Sequence, residues 1–295
     1  MTSVDPAALT QELRRARGAI RRRLKARFGA ANGIPGGGPN LSAAAIDDAS
    51  LWPLRELYEG TFEVEPVSYA TVRDYADSTE TMEGLASATG DMRNVQRCWT
   101  VKAVLGTVPR GGRLLEIGAG EPLVAGLLAR LGYEVTVVDP YDGSANGPLE
   151  YALFKALYPD VRFVRDRFPT REPLADGYDA VYSIAVLEDV PYDTLEELIG
   201  SAGALVAERG GCAIHSTDFV LAGWGADAHR EQMGRIVAAA GLDPALLDAT
   251  VEAMRDDPDT YLVSAEAHNR WRGSVPYDAY PMRRTGSLQL FKQAA

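Results

Sequence analysis

The chain has 295 residues, of which 46% are hydrophobic and 24% charged, and its formal net charge is −11 at pH 7. This length and apolar content predict a single α/β domain with extensions and a full buried core. The negative charge argues against general binding to nucleic acid and suits a neutral or cationic small molecule. The sequence shows no apolar run of membrane-spanning length, no secretory signal and no disulfide or zinc pattern, so we expect a cytoplasmic protein without a metal.

Residues 1–28 are basic, in contrast to the acidic average of the chain. Apolar residues recur in this segment at helical spacing, and they are Leu9, Leu13, Ala16, Ile20 and Leu24. We predict an amphipathic helix that packs on the acidic body or on a second copy, as in a homo-oligomer. Contact with RNA or a membrane surface is the alternative. A stretch rich in glycine and proline follows, so residues 1–40 are interpreted as a basic helix with a linker.

Residues 41–108 are predicted to be helical. Apolar spacing over 46–58 and 92–105 predicts two helices, and no strand alternation is visible. Tyr69 and Tyr75 lie between these helices. Plain surface or core roles are open to both tyrosines.

From residue 109 onward, strand-like and helical segments alternate, which predicts a parallel sheet covered by helices on both faces. The predicted strands are 113–117, 134–139, 161–164, 178–183, 211–215 and, at the sheet edge, 287–292. The predicted helices between them are 122–131, 148–158 and 194–207. An insertion at about 221–285, with helices near 227–240 and 244–255, is predicted to form a lid within this 109–295 domain.

The segment Leu114-Leu-Glu-Ile-Gly-Ala-Gly-Glu-Pro122 predicts a buried strand, a glycine turn and the start of a helix. Gly118 and Gly120 allow a ligand to approach the backbone, and the first N–H groups of the helix have no partner within it. Proline suits the first helical position, where its missing N–H is not needed. Leu123 stands where a dinucleotide fingerprint needs its third glycine. A tight turn without a ligand is the alternative interpretation.

The Glu-x-Gly-x-Gly pattern resembles the first motif of the class I S-adenosylmethionine (SAM)-dependent methyltransferases, although Pro122 stands where many members have a third glycine. Three further features recur in the order of that superfamily: Asp139 ending the second strand, Asp166 after the third, and the segment from Ser183 to Glu188 after the fourth. All lie at the carboxyl ends of predicted parallel strands, where open α/β sheets bind ligands.

This resemblance implies SAM as the cofactor and a Rossmann-like, seven-stranded, mostly parallel sheet whose last strand is antiparallel. The implied cofactor-binding residues are Glu116, Gly118, Ala119, Gly120, Asp139, Pro140, Asp166, Arg167 and Ser183. Asp139 would accept hydrogen bonds from the ribose hydroxyls, and Glu116 would arrange the loop. Asp166 would accept from the adenine amine, with the backbone N–H of Arg167 available to a ring nitrogen.

The catalytic residues are harder to assign, because many related enzymes have Glu-His where this chain has Glu188-Asp189. We predict His215, at the expected carboxyl end of the fifth strand, as a general base and Asp189 as the reserve candidate. A local hydrogen bond is the alternative role for His215.

The resemblance implies that the helical region 41–108 is a cap over the cofactor and acceptor, so Tyr69 and Tyr75 are candidates for binding the acceptor, with plain surface or core roles as the alternative. Trp224 and Trp271 are predicted to line the acceptor site, with core packing as the alternative for Trp271.

The predicted function is methyl transfer from SAM to an oxygen or nitrogen of a small molecule, such as a sugar or a natural-product intermediate. Two alternatives stay open. One is an RNA methyltransferase that uses the basic N-terminal helix, and the other is a SAM-binding partner protein without transferase activity.

Overall fold

A computed structural model of the chain describes residues 48–82, 85–86, 92–144, 147–223, 225–264 and 284–294. The predicted basic helix and linker at residues 1–40 lie outside the described residues. Among the helices that are described, none is both long enough and apolar enough to cross a membrane.

The described helices are α1 (Asp48–Tyr58), α2 (Val72–Thr81), α3 (Met92–Thr107), α4 (Leu123–Arg130), α5 (Tyr151–Leu157), α6 (Tyr192–Ala207), α7 (Ala226–Ala239) and α8 (Pro244–Asp256). The strands are β1 (Val67–Tyr69), β2 (Arg113–Ile117), β3 (Glu134–Val138), β4 (Arg162–Val164), β5 (Ala180–Ile184), β6 (Cys212–Ala222) and β7 (Arg284–Gln293). Most bounds agree with the predicted ones within a few residues. Pro122 precedes α4 as its N-cap and does not occupy the predicted first helical position.

The strands form one seven-stranded sheet in the order β1-β7-β6-β5-β2-β3-β4. The run from β6 to β4 is parallel, and β7 pairs antiparallel with β6 and with β1. The predicted fold, a mostly parallel seven-stranded sheet with an antiparallel last strand, is therefore confirmed. In this topology the carboxyl ends of β2, β3, β4, β5 and the parallel part of β6 lie along one edge of the sheet.

Two details of the sheet differ from the prediction. The region 41–108 contains a strand, β1, which has only three residues and so shows no recognisable alternation. The final strand β7 was predicted at the sheet edge, and that prediction is wrong because β1 pairs along its outer side. The N-terminal region thus contributes the edge strand next to β7.

The sheet separates two hydrophobic cores, since alternate residues of each strand face opposite sides. Leu114 belongs to the core under α1, α3 and α4, while its neighbour Leu115 belongs to the core under α6, α7 and α8. Both leucines are fully buried. The helix-covered sheet predicted from the alternating pattern is therefore observed.

The two helices of the insertion, α7 and α8, cover one face of the sheet. Met233, Ile236 and Val237 of α7 and Val251 of α8 are buried in the same core as β6 and β7. These helices therefore complete the domain core. A lid over the site stays a prediction for the rest of the insertion, because residues 265–283 lie outside the described residues.

Gly211, just before β6, has no room for a side chain. A Cβ atom there would lie 2.5 Å from the carbonyl oxygen of Asp179 and 2.6 Å from that of Tyr178. We expect Gly211→Ala to lower the free energy of unfolding by about 1–3 kcal/mol, because backbone atoms cannot rotate away. Gly200→Ala in α6 is the matched control: nothing lies within 4 Å of its Cβ position, and alanine should stabilise the helix by about 0.5–1 kcal/mol. Urea titrations of both variants check this, and equal midpoints would contradict it.

Candidate cofactor and acceptor site

The turn after β2 is held in a conformation that requires glycine. Gly118 has a φ angle of +66° and Gly120 one of +57°. The backbone N–H of Gly118 donates to Val138 O at 2.9 Å, which joins the turn to the end of β3. A Cβ atom on Gly118 would lie 2.9 Å from a methyl group of Val186, so the loop after β5 packs directly on the turn. The turn is therefore fixed between the carboxyl ends of the neighbouring strands.

Asp139 connects β3 to this turn. Its Oδ2 accepts from the backbone N–H of Gly120 at 2.9 Å, and its Oδ1 accepts from that of Tyr141 at 2.8 Å. The residue is 7% exposed, and burial raises the pKa of its carboxyl group while the two backbone hydrogen bonds oppose that rise. Ala119 and Pro140 flank these contacts and are partly exposed. The predicted ribose-binding carboxylate thus lies beside the glycine turn, with further lone pairs on both oxygens.

Glu116 lies beneath the turn and is 2% exposed. Its carboxyl group accepts from the hydroxyl of Tyr182 at 3.1 Å and from a backbone N–H at Ala125 in α4. Burial raises the pKa of Glu116 to about 8. At neutral pH the group is therefore mostly a neutral acid that links β2, β5 and the first turn of α4.

The loop after β4 is organised by Asp166. Its carboxylate accepts from Thr170 Oγ1 and from the backbone N–H groups of Arg167 and Arg171, and these bonds lower its pKa. The N–H of Arg167 was predicted to be available to an adenine ring nitrogen. That detail is wrong, because the N–H is donated to Asp166 Oδ1 at 2.8 Å. The side chain of Arg167 is exposed and pairs with Asp142 at 3.6 Å.

His215 does not end its strand, as was predicted, because β6 continues to Ala222 along β7. The side chain is 2% exposed, and its Nδ1 lies 2.8 Å from Ser183 Oγ, which is itself fully buried. It lines a cavity of about 280 Å³ between α6, the end of α7 and the last residues of β7. Burial lowers the pKa of His215 to about 4, which is far from the value that suits a base at neutral pH. This placement does not support the predicted role of general base. Ser183 pairs with Ile117 just before the turn, but its hydroxyl is engaged with His215.

A polar cluster lies on the opposite face of β6, where β5 and the parallel part of β6 end. Asp218 follows the last parallel pair, Ile184 and Ser216, by two residues. Its Oδ1 accepts from Gln96 Nε2 of α3 at 2.9 Å, and its backbone N–H donates to Glu188 Oε1 at 2.7 Å. Because strand neighbours alternate, Asp218 faces α3, whereas Thr217, like His215, faces the α7 side, where it contacts Met233.

Glu188 of this cluster belongs to the short turn Leu187–Asp189, directly after the Val186 that packs on Gly118. Burial, reinforced by the charge of Asp218, raises the pKa of Glu188 well above its usual range. The reserve base Asp189 is exposed on the same turn. Sequence reasoning missed Gln96 and the role of Asp218, since 122 residues separate these two partners.

The residues predicted to bind the acceptor are Tyr69, Tyr75, Trp224 and Trp271. The hydroxyl of Tyr69 donates to Asp257 at 2.8 Å, after α8, and the ring of Tyr75 lies 5.0 Å from that of Tyr261. Both tyrosines therefore join the N-terminal region to the segment directly after α8. Trp224 and Trp271 lie outside the described residues. Within the part of the chain that is described, no group of three or more His, Cys, Asp or Glu side chains is placed to hold a metal ion.

Three solved structures illustrate what the chain is similar to. A putative methyltransferase from an antibiotic biosynthesis pathway of Anabaena variabilis has 14% identity over 66% of this chain and 96% of that chain, with a TM-score of 0.39. Phosphoethanolamine N-methyltransferase 2 of Haemonchus contortus, solved with SAM, has 17% identity over 76% of this chain and 60% of that chain, with a TM-score of 0.43. The 1,6-didemethyltoxoflavin-N1-methyltransferase of Burkholderia thailandensis has 16% identity over 74% and 86%, with a TM-score of 0.40.

Comparison of the sequence with curated proteins and with family models gives one match. No match was found among curated protein sequences. Residues 92–278 match the family model described as a methyltransferase domain, which is more than half of the chain. This range includes the glycine turn, Asp139 and the polar cluster. The chain belongs to the methyltransferase domain family, and it is a class I methyltransferase with S-adenosylmethionine as its cofactor.

Proposed function

We propose that this enzyme methylates a nitrogen or oxygen atom of a small-molecule acceptor, such as a sugar or a natural-product intermediate. The observation that supports this proposal is the Gln96–Glu188–Asp218 cluster. It lies where β5 and the parallel part of β6 end, and its Glu188 follows by two residues the Val186 that packs on the glycine turn. The bound cofactor supplies an electrophilic methyl group on a sulfonium ion. The main task of the protein is therefore to position the acceptor and to accept its proton.

The residues around the turn fit the cofactor. Gly118, Ala119 and Gly120 present a backbone without large side chains, which suits the methionyl amine and carboxylate. Asp139 is buried next to them and offers acceptor oxygens suited to the two ribose hydroxyls. Asp166 remains the proposed acceptor for the adenine amine, since its Oδ1 keeps a second lone pair beside the bond from Arg167, whereas Oδ2 already accepts two hydrogen bonds.

The proposal is tested by incubating the full-length enzyme with methyl-labelled SAM and a panel of small molecules that carry amines or hydroxyls. We expect label in a small-molecule product, together with stoichiometric S-adenosylhomocysteine. Asp139→Ala serves as the control for the cofactor site. Label found only in RNA would favour the RNA methyltransferase instead. SAM binding without turnover on any acceptor would favour the non-catalytic partner.

The same site gives a binding prediction for Asp139. Asp139→Ala should weaken SAM binding by about 1.5–3 kcal/mol, the usual contribution of hydrogen bonds to a charged group. The variant also loses the contacts to Gly120 and Tyr141, so the turn itself loosens. Asp139→Asn keeps one acceptor oxygen, so it should lose less SAM affinity than Asp139→Ala. Calorimetry on the folded variants measures both effects, and unchanged affinity in Asp139→Ala would remove this residue from the site.

A further inference from the structure

Two buried oxygen atoms in the Gln96–Glu188–Asp218 cluster have no hydrogen-bond donor among the described residues. They are Oε1 of Gln96, whose side chain has no exposed surface, and Oε2 of Glu188. The amide of Gln96 is directed into the cluster, since its Nε2 donates to Asp218. Buried acceptors without a donor cost free energy, and native proteins satisfy nearly all of them. This arrangement therefore favours a ligand that brings its own donors.

The three side chains of the cluster differ in exposure. Gln96 is fully buried, whereas Asp218 and Glu188 are partly exposed residues at the carboxyl edge of the sheet. This is the edge at which the glycine turn lies, and Val186, two residues before Glu188, packs on Gly118. A molecule held by the cluster would therefore lie next to the cofactor turn, where a methyl acceptor has to be.

The number of donors separates the possible acceptor groups. A hydroxyl group has one donor, whereas a protonated primary amine has three donors and a positive charge. The cluster offers oxygens from Gln96, Glu188 and Asp218, and two of these side chains are neighbouring carboxyl groups. Since the charge of Asp218 helps to raise the pKa of Glu188, a cation between them would relieve their repulsion.

We propose that the Gln96–Glu188–Asp218 cluster binds the acceptor and that the acceptor group is a primary amine. This inference rests on the proposed function and names its substrate class. The amine binds as an ammonium ion, and Asp218 removes one N–H proton. The freed lone pair forms the N–C bond while the methyl carbon–sulfur bond breaks and its electron pair goes to sulfur. The proton then passes from Asp218 to water, so that charge and atoms balance.

The test uses propylammonium chloride as the probe and the full-length protein loaded with S-adenosylhomocysteine. Propanol, with one donor, and tetramethylammonium chloride, with charge but no donor, are the comparison compounds. We expect saturable binding of propylammonium alone, measured by calorimetry and by the melting temperature. Asp218→Asn and Glu188→Gln should each weaken that binding by about tenfold to 100-fold, because charged hydrogen bonds are lost.

The control variant is Asp193→Asn, which removes one negative charge from an exposed position in the first turn of α6. Its propylammonium affinity should equal that of the wild type, and both cluster variants should retain their affinity for S-adenosylhomocysteine. Absence of saturable propylammonium binding, equal binding of propanol, or unchanged affinity in both cluster variants would overturn the inference. Failure of the wild type to bind S-adenosylhomocysteine would instead overturn the proposed function, and this inference with it.

Discussion

Replacing Gly118 by valine is expected to weaken SAM binding by about 100-fold or more, a loss of about 2.7 kcal/mol. The φ angle of +66° lies in the left-handed region, which β-branched residues rarely adopt. The new Cβ would also lie 2.9 Å from a methyl group of Val186, which joins the turn to the loop carrying Glu188. The substitution therefore displaces the backbone that faces the cofactor. Calorimetry with SAM measures the effect on a variant whose folding is verified by circular dichroism.

Gly60→Val is the control variant that distinguishes the effect of backbone strain from the loss of cofactor binding. Gly60 has a φ angle of +67°, almost equal to that of Gly118, and nothing lies within 4 Å of its Cβ position. Both variants should lose about 1–3 kcal/mol of stability through backbone strain. Only Gly118→Val should lose SAM affinity. Equal affinities of the two variants would show that the turn after β2 does not contact the cofactor.

The cofactor side of the site could be predicted from the sequence because its determinants are local. The glycine turn follows directly on β2, and Asp139 follows directly on β3. In a parallel sheet the carboxyl ends of adjacent strands meet at one edge, so two local patterns suffice to place these residues together. The hydrogen bond from Gly120 to Asp139 is the contact that this reasoning requires.

The acceptor side could not be predicted in the same way, because it depends on distant pairings. Gln96 reaches Asp218 from a helix that precedes the whole parallel sheet. The short strand β1 is recognisable only through its pairing with β7 at the other end of the chain. The prediction for His215 relied on where β6 ends. Pairing with β7 extends β6 to Ala222, and strand alternation then turns His215 away from the cluster.

His215 should make the stability of the protein depend on pH between about 4 and 6.5. Burial lowers its pKa from 6.5 to about 4, so within this window the unfolded chain binds a proton that the folded chain does not. Stability therefore rises with pH. The contribution of the neutral His215 to the free energy of unfolding is complete above pH 6.5 and is lost as the pH falls toward 4. At 1.36 kcal/mol for each pH unit, the full difference is about 3 kcal/mol.

The measurement compares urea unfolding of the wild type and His215→Gln across that range, because effects of other groups such as Glu116 then cancel in the difference. The free energy of unfolding of the wild type should fall by about 3 kcal/mol relative to that of the variant as the pH falls. Ser183→Ala is the matched control, because it removes the hydrogen bond to Nδ1 but leaves the imidazole buried. The difference in free energy of unfolding between this variant and the wild type should therefore change little with pH.

Turnover gives the second readout. A buried structural histidine predicts near-wild-type kcat for His215→Gln between pH 6 and 9, whereas a general base predicts a fall of about 10²–10⁴-fold, which would restore His215 to the reaction centre.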